Sequence, residues 1–196
     1  FILFILTQIM DFDKVLKQRA SIKDYSNKTP KIDRVIDAIE AASLAPSPGN
    51  LQILKFIITE DKETVQKVAK ACQQQFVQDA PIILIVCSDS KRAKIMFDKR
   101  AKTYVKHHVG AAIENLLLKI TEMKLASTWV GAFSETTLRN LLKIPDNIDI
   151  EVVIPIAHPL RKGKTIQKRK PNLGNLVFFD TWDNKQQKKI RKTGTH

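Results

Sequence analysis

The sequence predicts an α+β sandwich, a mixed sheet covered by helices. Three observations carry this. Residues 82–87, Ile-Ile-Leu-Ile-Val-Cys, form an uninterrupted apolar, β-branched run that suits a central strand covered on both faces. Residues 104–124 place Val105, Val109, Ala112, Ile113, Leu116, Leu117, Ile120 and Met123 at spacings of 4, 3, 1, 3, 1, 3 and 3, a long helix apolar broadly enough to be buried. The third is the order of elements, α-α-β-α-β-α-α-β-α-β and then an extended tail, with no internal repeat, low-complexity tract or interior linker.

Each element has its own signal. Residues 11–20 read as a short helix with Phe12, Val15 and Leu16 on one face, and Asp24, Ser26 and Asn27 mark a turn after it. Ile32, Val35, Ile36, Ile39 and Ala42 then recur at helical spacing, an amphipathic helix begun near Thr29-Pro30 and stopped at Ala45-Pro46. After the loop 46–50, residues 56–59 read as a strand, and Asp61 is placed to cap a helix running to about Gln75. Beyond the central strand, the polar residues 91–103 are expected to be helical and to form a lid. Residues 127–131 and 152–157 read as further strands, separated by a helix over 134–143 that Ser134 caps.

Composition bounds the function. The chain has 196 residues, 43% hydrophobic and 27% charged, with a net charge of +13, enough for one globular domain with a sizeable core. Apolar runs fall far short of the ~20 residues that span a bilayer, so no membrane span is expected. Cys72 and Cys87, with His107, His108, His158 and His196, show no metal-ligand spacing, and two cysteines do not make a disulfide scaffold. No GxG and no GKS or GKT occurs, so a bound nucleotide's phosphate must be held by side chains. Residues 1–9 read as an upstream extension or anchor of unknown role before Met10, the natural start by this reading. They lack the charged region and cleavage site of a signal peptide, so an intracellular, cytoplasmic protein is expected. Residues 10–182 are expected as one domain and 183–196 as a basic tail. From Arg161 onward eleven basic residues face only Asp180 and Asp183. Such a tail can bind nucleic acid through phosphates, but the few aromatics are not interleaved with the basic runs as stacking platforms require.

Three segments carry chemistry. Arg19-Ala20-Ser21-Ile22-Lys23, just after a helix, would in extended form turn Arg19, Ser21 and Lys23 to one side: a guanidinium fork, a hydroxyl and an ammonium suited to a phosphate. Three solvated polar residues would look the same. Pro46-Ser47-Pro48-Gly49-Asn50-Leu51-Gln52 fixes a tight loop whose Ser47, Asn50 and Gln52 suit the edge of a planar heterocycle, although a plain helix-to-strand connection would also use Pro and Gly. Ser127-Thr128-Trp129-Val130-Gly131-Ala132 is a strand ending on small residues, where backbone amides can approach a ligand closely.

In this order, and with the long apolar helix, the stretch Val153-Ile154-Pro155-Ile156-Ala157-His158-Pro159 and the late Lys168-Arg169-Lys170-Pro171, the sequence resembles the nitroreductase family of flavin enzymes over roughly residues 11–180. The resemblance implies a three-layer α-β-α sandwich around a mainly antiparallel sheet, and a homodimer with FMN at the subunit interface. It implies that Arg19, Ala20, Ser21 and Lys23 meet the FMN phosphate and ribityl chain, with Lys168 and Arg169 closing on the same phosphate. Pro46, Ser47, Pro48, Asn50 and Gln52 match the loop that reaches the isoalloxazine, typically of the other subunit, and Gly131 and Ala132 match the backbone beside flavin N5. Gln73, Gln74 and Gln75 stand where many members have Asn or Lys, and Ala157-His158-Pro159 replaces the usual Gly-Tyr-Pro.

The implied activity is an FMN-dependent oxidoreductase that takes hydride from NADH or NADPH and reduces a small-molecule acceptor such as a nitroaromatic or quinone. The cofactor supplies the chemistry, so no side-chain catalyst is assigned, and no metal. His158 is a packing histidine before it is a proton donor, and Lys55 is a candidate for balancing flavin charge. Glu40, Asp98 and Glu114 read as solvated or helix-pairing. The alternatives are a same-fold flavoprotein with dehydrogenation or flavin-modifying chemistry, and a basic nucleic-acid-binding domain.

Overall fold

The run 82–88 sets the architecture. A computed structural model of the chain describes residues 11–160 and 171–185. In it Ile82–Ser88 is strand β2, every residue of it buried. It lies antiparallel between β1 (Leu54–Thr59) and β4 (Asp149–Ala157), with Ile85 opposite Ile57 on one side and Val153 on the other. The short β3 (Ala126–Ser127) pairs antiparallel with the end of β4, giving the order β1-β2-β4-β3. The one parallel pairing among the described residues is the isolated bridge between Ser21 and Ser127, which makes the sheet mixed but mainly antiparallel.

Strand alternation then divides the core in two. Ile82, Leu84, Val86, Val152, Ile154 and Ile156 pack against α2 (Ile32–Ser43) and α5 (Ala101–Glu122). Ile83, Ile85, Cys87 and Val153 pack against α3 (Lys62–Cys72) and α6 (Glu135–Leu142). Both faces of the sheet are covered, as a three-layer sandwich requires. The caps are as the sequence places them: Asp61 accepts from the Thr64 N–H at 2.8 Å, and Ser134 from the Thr137 N–H at 3.4 Å.

The differences have local causes. α3 stops at Cys72 because Gln73 adopts a left-handed conformation (φ 52°), and a 3₁₀ turn over Gln75–Asp79 follows. The strand expected over 127–131 shrinks to two paired residues and a single bridge from Val130 to Val153, leaving Trp129 exposed between them. β4 starts at Asp149, and a bulge opposite Val86 and Cys87 absorbs the extra residue. α1 (Phe12–Gln18) buries only Val15, and Phe12 is 63% exposed. Residues 91–100 form α4 (Lys91–Phe97) and a 3₁₀ turn over Asp98–Arg100, and the long helix starts at Ala101. No helix among the described residues is long and apolar enough to cross a membrane, and no group of them could hold a metal ion.

The chain divides into two compact units, one through Thr165 and one from Ile166. The described part of the second holds a 3₁₀ turn over Leu173–Asn175, capped by Asn172, and a stack of Phe178 on Trp182 with centroids 4.6 Å apart. Residues 1–9, Lys168, Arg169 and the tail beyond Lys185 lie outside the described residues.

Candidate active site

At the open edge of the sheet, two of the three predicted segments run side by side. The Ile22 N–H donates to the Ser127 carbonyl at 3.0 Å, and the Thr128 hydroxyl donates to the Ile22 carbonyl at 2.8 Å. This fixes residues 19–23 along 127–131. Ser21 and Lys23 are exposed there, as are Gly131 and Ala132 just past the Val130 bridge, while Ala20 is half-buried. Arg19 ends α1, its N–H on the Val15 carbonyl at 2.8 Å. Its Nε lies 3.5 Å from Glu114 Oε1 on α5, too poorly aligned for a hydrogen bond, so the buried Nε keeps an unmet donor. Lys23 Nζ instead sits 4.6 Å over the Phe76 ring. The two cations therefore rest on different layers, rather than pointing to one side as simple alternation predicts.

The third segment stands apart. Pro48–Asn50 forms a 3₁₀ turn in which Gly49 (φ 57°) and Asn50 (φ 55°) are both left-handed. Leu51 and Ile53 anchor the loop in the core, while Asn50 and Gln52 stay exposed. On α5, His108 Nδ1 is 2.8 Å from the Pro46 carbonyl. A carbonyl only accepts, so Nδ1 carries the proton. Gly49 fits against α4: a Cβ there would lie 2.7 Å from Met96 Sδ and 3.2 Å from Phe97 Cζ. Between this loop, α4 and α5 lies a cavity of about 460 Å³, walled by Pro46, Pro48, Phe97, Tyr104 and both His107 and His108. Glu114 and His108 are six residues apart, about 9 Å along α5 and about 120° around it. Arg19, in the phosphate clamp that the sequence predicts over residues 19–23, and the loop of one chain thus use different faces of one helix.

The remaining candidates fall outside this geometry. Lys55 is exposed on the edge strand β1, opposite Cys87. His158 lies at the end of β4, where burial and then the cations Lys28 and Arg34 hold its pKa below the usual imidazole value. Burial also pushes the thiols of Cys72 and Cys87 up to about 11, which makes them inert rather than nucleophilic. Sequence reasoning missed four residues that shape the site: Glu114, read as solvated, pairs with Arg19; Phe76 carries Lys23; Thr128 ties the two segments; His108 holds the loop. Only His108 had a usable signal, since it falls three residues after Val105 and four before Ala112 on the apolar face.

The family model of the nitroreductases matches residues 16–79 and 69–158, most of the chain. The chain belongs to the nitroreductase family. A protein of Archaeoglobus fulgidus that bears the name of a candidate NADH dehydrogenase/NAD(P)H nitroreductase is 32% identical over 151 residues, covering 74% of this chain and 84% of that one. An iodotyrosine deiodinase of Thermotoga neapolitana is 21% identical over 169 residues, 73% of this chain and 86% of its own. Among solved structures, the NADPH:FMN oxidoreductase of Vibrio harveyi, complexed with NAD+, superposes with a TM-score of 0.76 at 19% identity, covering 88% of this chain and 78% of that one. The nitroreductase fold thus spans the clamp, the loop and α5 alike.

Proposed function

We propose that this nitroreductase-family chain is an FMN-dependent oxidoreductase that oxidises NADH or NADPH and reduces a small-molecule acceptor such as a nitroaromatic or a quinone. One observation carries the reading: the pairing of residues 19–23 with 127–131, which fixes the backbone that bears Arg19, Ser21 and Lys23 beside a strand end of small exposed residues. This donor set fits a phosphomonoester. The buried Arg19 Nε has an unmet donor, and a phosphate oxygen satisfies it better than the misaligned Glu114 carboxylate.

Arg19 and Ser21 would hold the phosphate with Ala20 in backbone contact, Lys23 would join them on leaving the Phe76 ring, and Lys168 and Arg169, outside the described residues, are proposed as further contacts to it. Gly131 and Ala132, lacking bulky side chains, would let backbone amides reach the flavin ring. When bound, FMN would supply the two-electron redox chemistry between the nicotinamide and the acceptor. The chain's own part is to bind, orient and exclude water.

The loop Pro46, Ser47, Pro48, Asn50 and Gln52 would serve the flavin of a second copy, since His108 holds it on a different face of α5 from the clamp. A homodimer is supported further by apolar side chains left in water on the helices that pack against α5: Phe12 of α1, Ile32 and Ile36 of α2, and Leu44 just past α2, 84% exposed. Residues 10–182 would form the FMN-binding domain.

The test is a visible spectrum of the protein after FMN addition and desalting, followed by anaerobic NADH or NADPH. Retained flavin bands that bleach support the reading; no retained flavin overturns it. Bands that persist favour a second reading, a flavoprotein of the same fold with dehydrogenating or flavin-modifying chemistry, to which the likeness to iodotyrosine deiodinase lends weight.

A further inference from the structure

The cavity between the loop, α4 and α5 has an apolar, aromatic interior and an unusually charged surround. Phe97 and Tyr104 meet edge to face, with centroids 5.2 Å apart, and Pro46, Pro48 and Ala111 complete the apolar wall. Such a wall accepts a planar aromatic body. Residues 91–107, which build α4, the turn after it and the first turns of α5, hold seven basic residues, Lys91, Arg92, Lys94, Lys99, Arg100, Lys102 and Lys106, against the single acid Asp98.

Two of these cations bear on the choice of ligand. Lys106 is committed to Glu151 at 2.5 Å. Arg100 makes no ion pair among the described residues; its guanidinium lies 5.3 Å from the centroid of Tyr104, a wall residue. Arg100, exposed and not itself a wall residue, thus places a positive charge that is unpaired among the described residues against the ring of a wall residue. Beneath, His108 is 2% exposed, and its Nε2 is buried without a hydrogen-bond partner while Nδ1 serves Pro46. With Nδ1 protonated, the unmet Nε2 is an acceptor, so the partner for an anion at this cavity is Arg100 and not His108.

We propose that this cavity is the acceptor pocket and that it selects planar aromatic acceptors carrying a negative charge, with Arg100 as the specificity-determining cation. The inference rests on the oxidoreductase reading above. With 4-nitrobenzoate as probe, the nitro group takes two electrons and two protons and loses one oxygen as water, leaving 4-nitrosobenzoate. NADPH is oxidised to NADP+, giving up two electrons and one proton as hydride, and solvent gives the second proton.

The experiment compares 4-nitrobenzoate with neutral 4-nitrobenzamide, using FMN-loaded full-length protein whose flavin retention is recorded first. The expected result is that the ratio of kcat/KM for the anion to that for the amide falls about fivefold in Arg100→Gln. Arg100→Lys restores it, and Lys14→Gln on α1 does not alter it. Calorimetric titration with benzoate and benzamide, which involves no turnover, should show tighter binding of benzoate that is lost in Arg100→Gln. An unchanged ratio, or benzamide bound as tightly as benzoate, overturns the anion preference and leaves the oxidoreductase reading standing. So does a defect in Arg100→Gln confined to the reaction with NADPH, which would assign the cation to the donor's phosphates. Protein that holds no flavin overturns both readings together.

Discussion

Replacing Arg19 by Gln should weaken FMN binding far more than it weakens the fold. Among the described residues Arg19 makes one ion pair, at 3.5 Å to Glu114, between side chains 29% and 46% exposed. Such a pair contributes about 0–1 kcal/mol, so the flavin-free protein should lose no more than about 3 °C in Tm. A guanidinium on a phosphate is a different matter: charge-assisted hydrogen bonds contribute about 1.5–3 kcal/mol, which raises the FMN Kd roughly 10- to 150-fold. Glu114→Gln supplies the opposite arm. It removes the carboxylate that competes for the guanidinium, and FMN should bind equally or up to about fivefold more tightly. Equilibrium dialysis with the visible absorbance of free and bound FMN gives the Kd, and thermal melts without flavin give the stability. A Kd for Arg19→Gln within twofold of the parent refutes the assignment of Arg19 to the phosphate. A large loss of flavin-free stability would show instead that the Glu114 contact is structural.

Other consequences can be checked on the same protein. Glu151 is a carboxylate whose side chain is only 4% exposed, held by Ser88 Oγ at 2.6 Å and Lys106 Nζ at 2.5 Å. Because Lys106 is half exposed, Lys106→Met should cost about 1–3 kcal/mol in a urea titration, below the loss expected for a fully buried pair, and adding Glu151→Gln should recover part of it. Gly49→Ala places a Cβ on a left-handed backbone and against Met96 and Phe97. A loss of about 1–2 kcal/mol is expected, eased when Met96 is also cut to Ala; no loss would show that the loop does not hold this conformation. Cys72 and Cys87, with pKa values near 11, should resist a thiol reagent at pH 8 in native protein and react on unfolding. Their raised values, and that of Tyr25 at about 12, favour the neutral groups in the fold. That stability is fully present below the unfolded pKa values of 9 and 10 and is lost as pH climbs past them, so Tm should fall progressively between pH 9 and 11. A Tm that is flat over that range would contradict the burial.

The sandwich was legible because its signals are strong and local. A run of β-branched residues buried on both faces has few alternatives to a central strand, and α5 is apolar over too long a stretch to be anything but a covered helix. The capping aspartate and serine were legible for the same reason: each closes a bond three residues away. Boundaries were not, where a left-handed residue such as Gln73 or a bulge such as that at Cys87 decides them, since any residue type can be forced into either by distant packing. Within the site, backbone-determined features were legible, namely the turn at Gly49 and the strand end at Gly131. The long-range side-chain partners were hidden: Arg19 to Glu114 spans 95 residues and Pro46 to His108 spans 62, and no local pattern encodes such pairings. The expected convergence of Arg19 and Lys23 failed because alternation fixes where a side chain leaves the backbone, while the tip of a long cation goes to whatever acceptor or ring the fold brings near.

These pairings share one element. Tyr104 on the cavity wall, Lys106 on Glu151, His108 on Pro46 and Glu114 on Arg19 all belong to the first two-thirds of α5, within about 15 Å of helix axis. That stretch is also locked into the core, with Val105, Val109, Ala112 and Ile113 buried against the sheet and α2. A helix held so firmly on its inner face can fix Arg19 on one side and the loop at Pro46 on another without either moving the other. The same rigidity makes the arrangement vulnerable at Ala112, which is fully buried. Ala112→Leu has no space to fill, and overpacking of about 1–3 kcal/mol would be relieved by shifting α5 outward. Such a shift would displace Glu114 and His108 together. FMN affinity and acceptor turnover should therefore decline in step in this variant, whereas independent decline of one would show that α5 yields by local repacking and that the two half-sites are not mechanically joined.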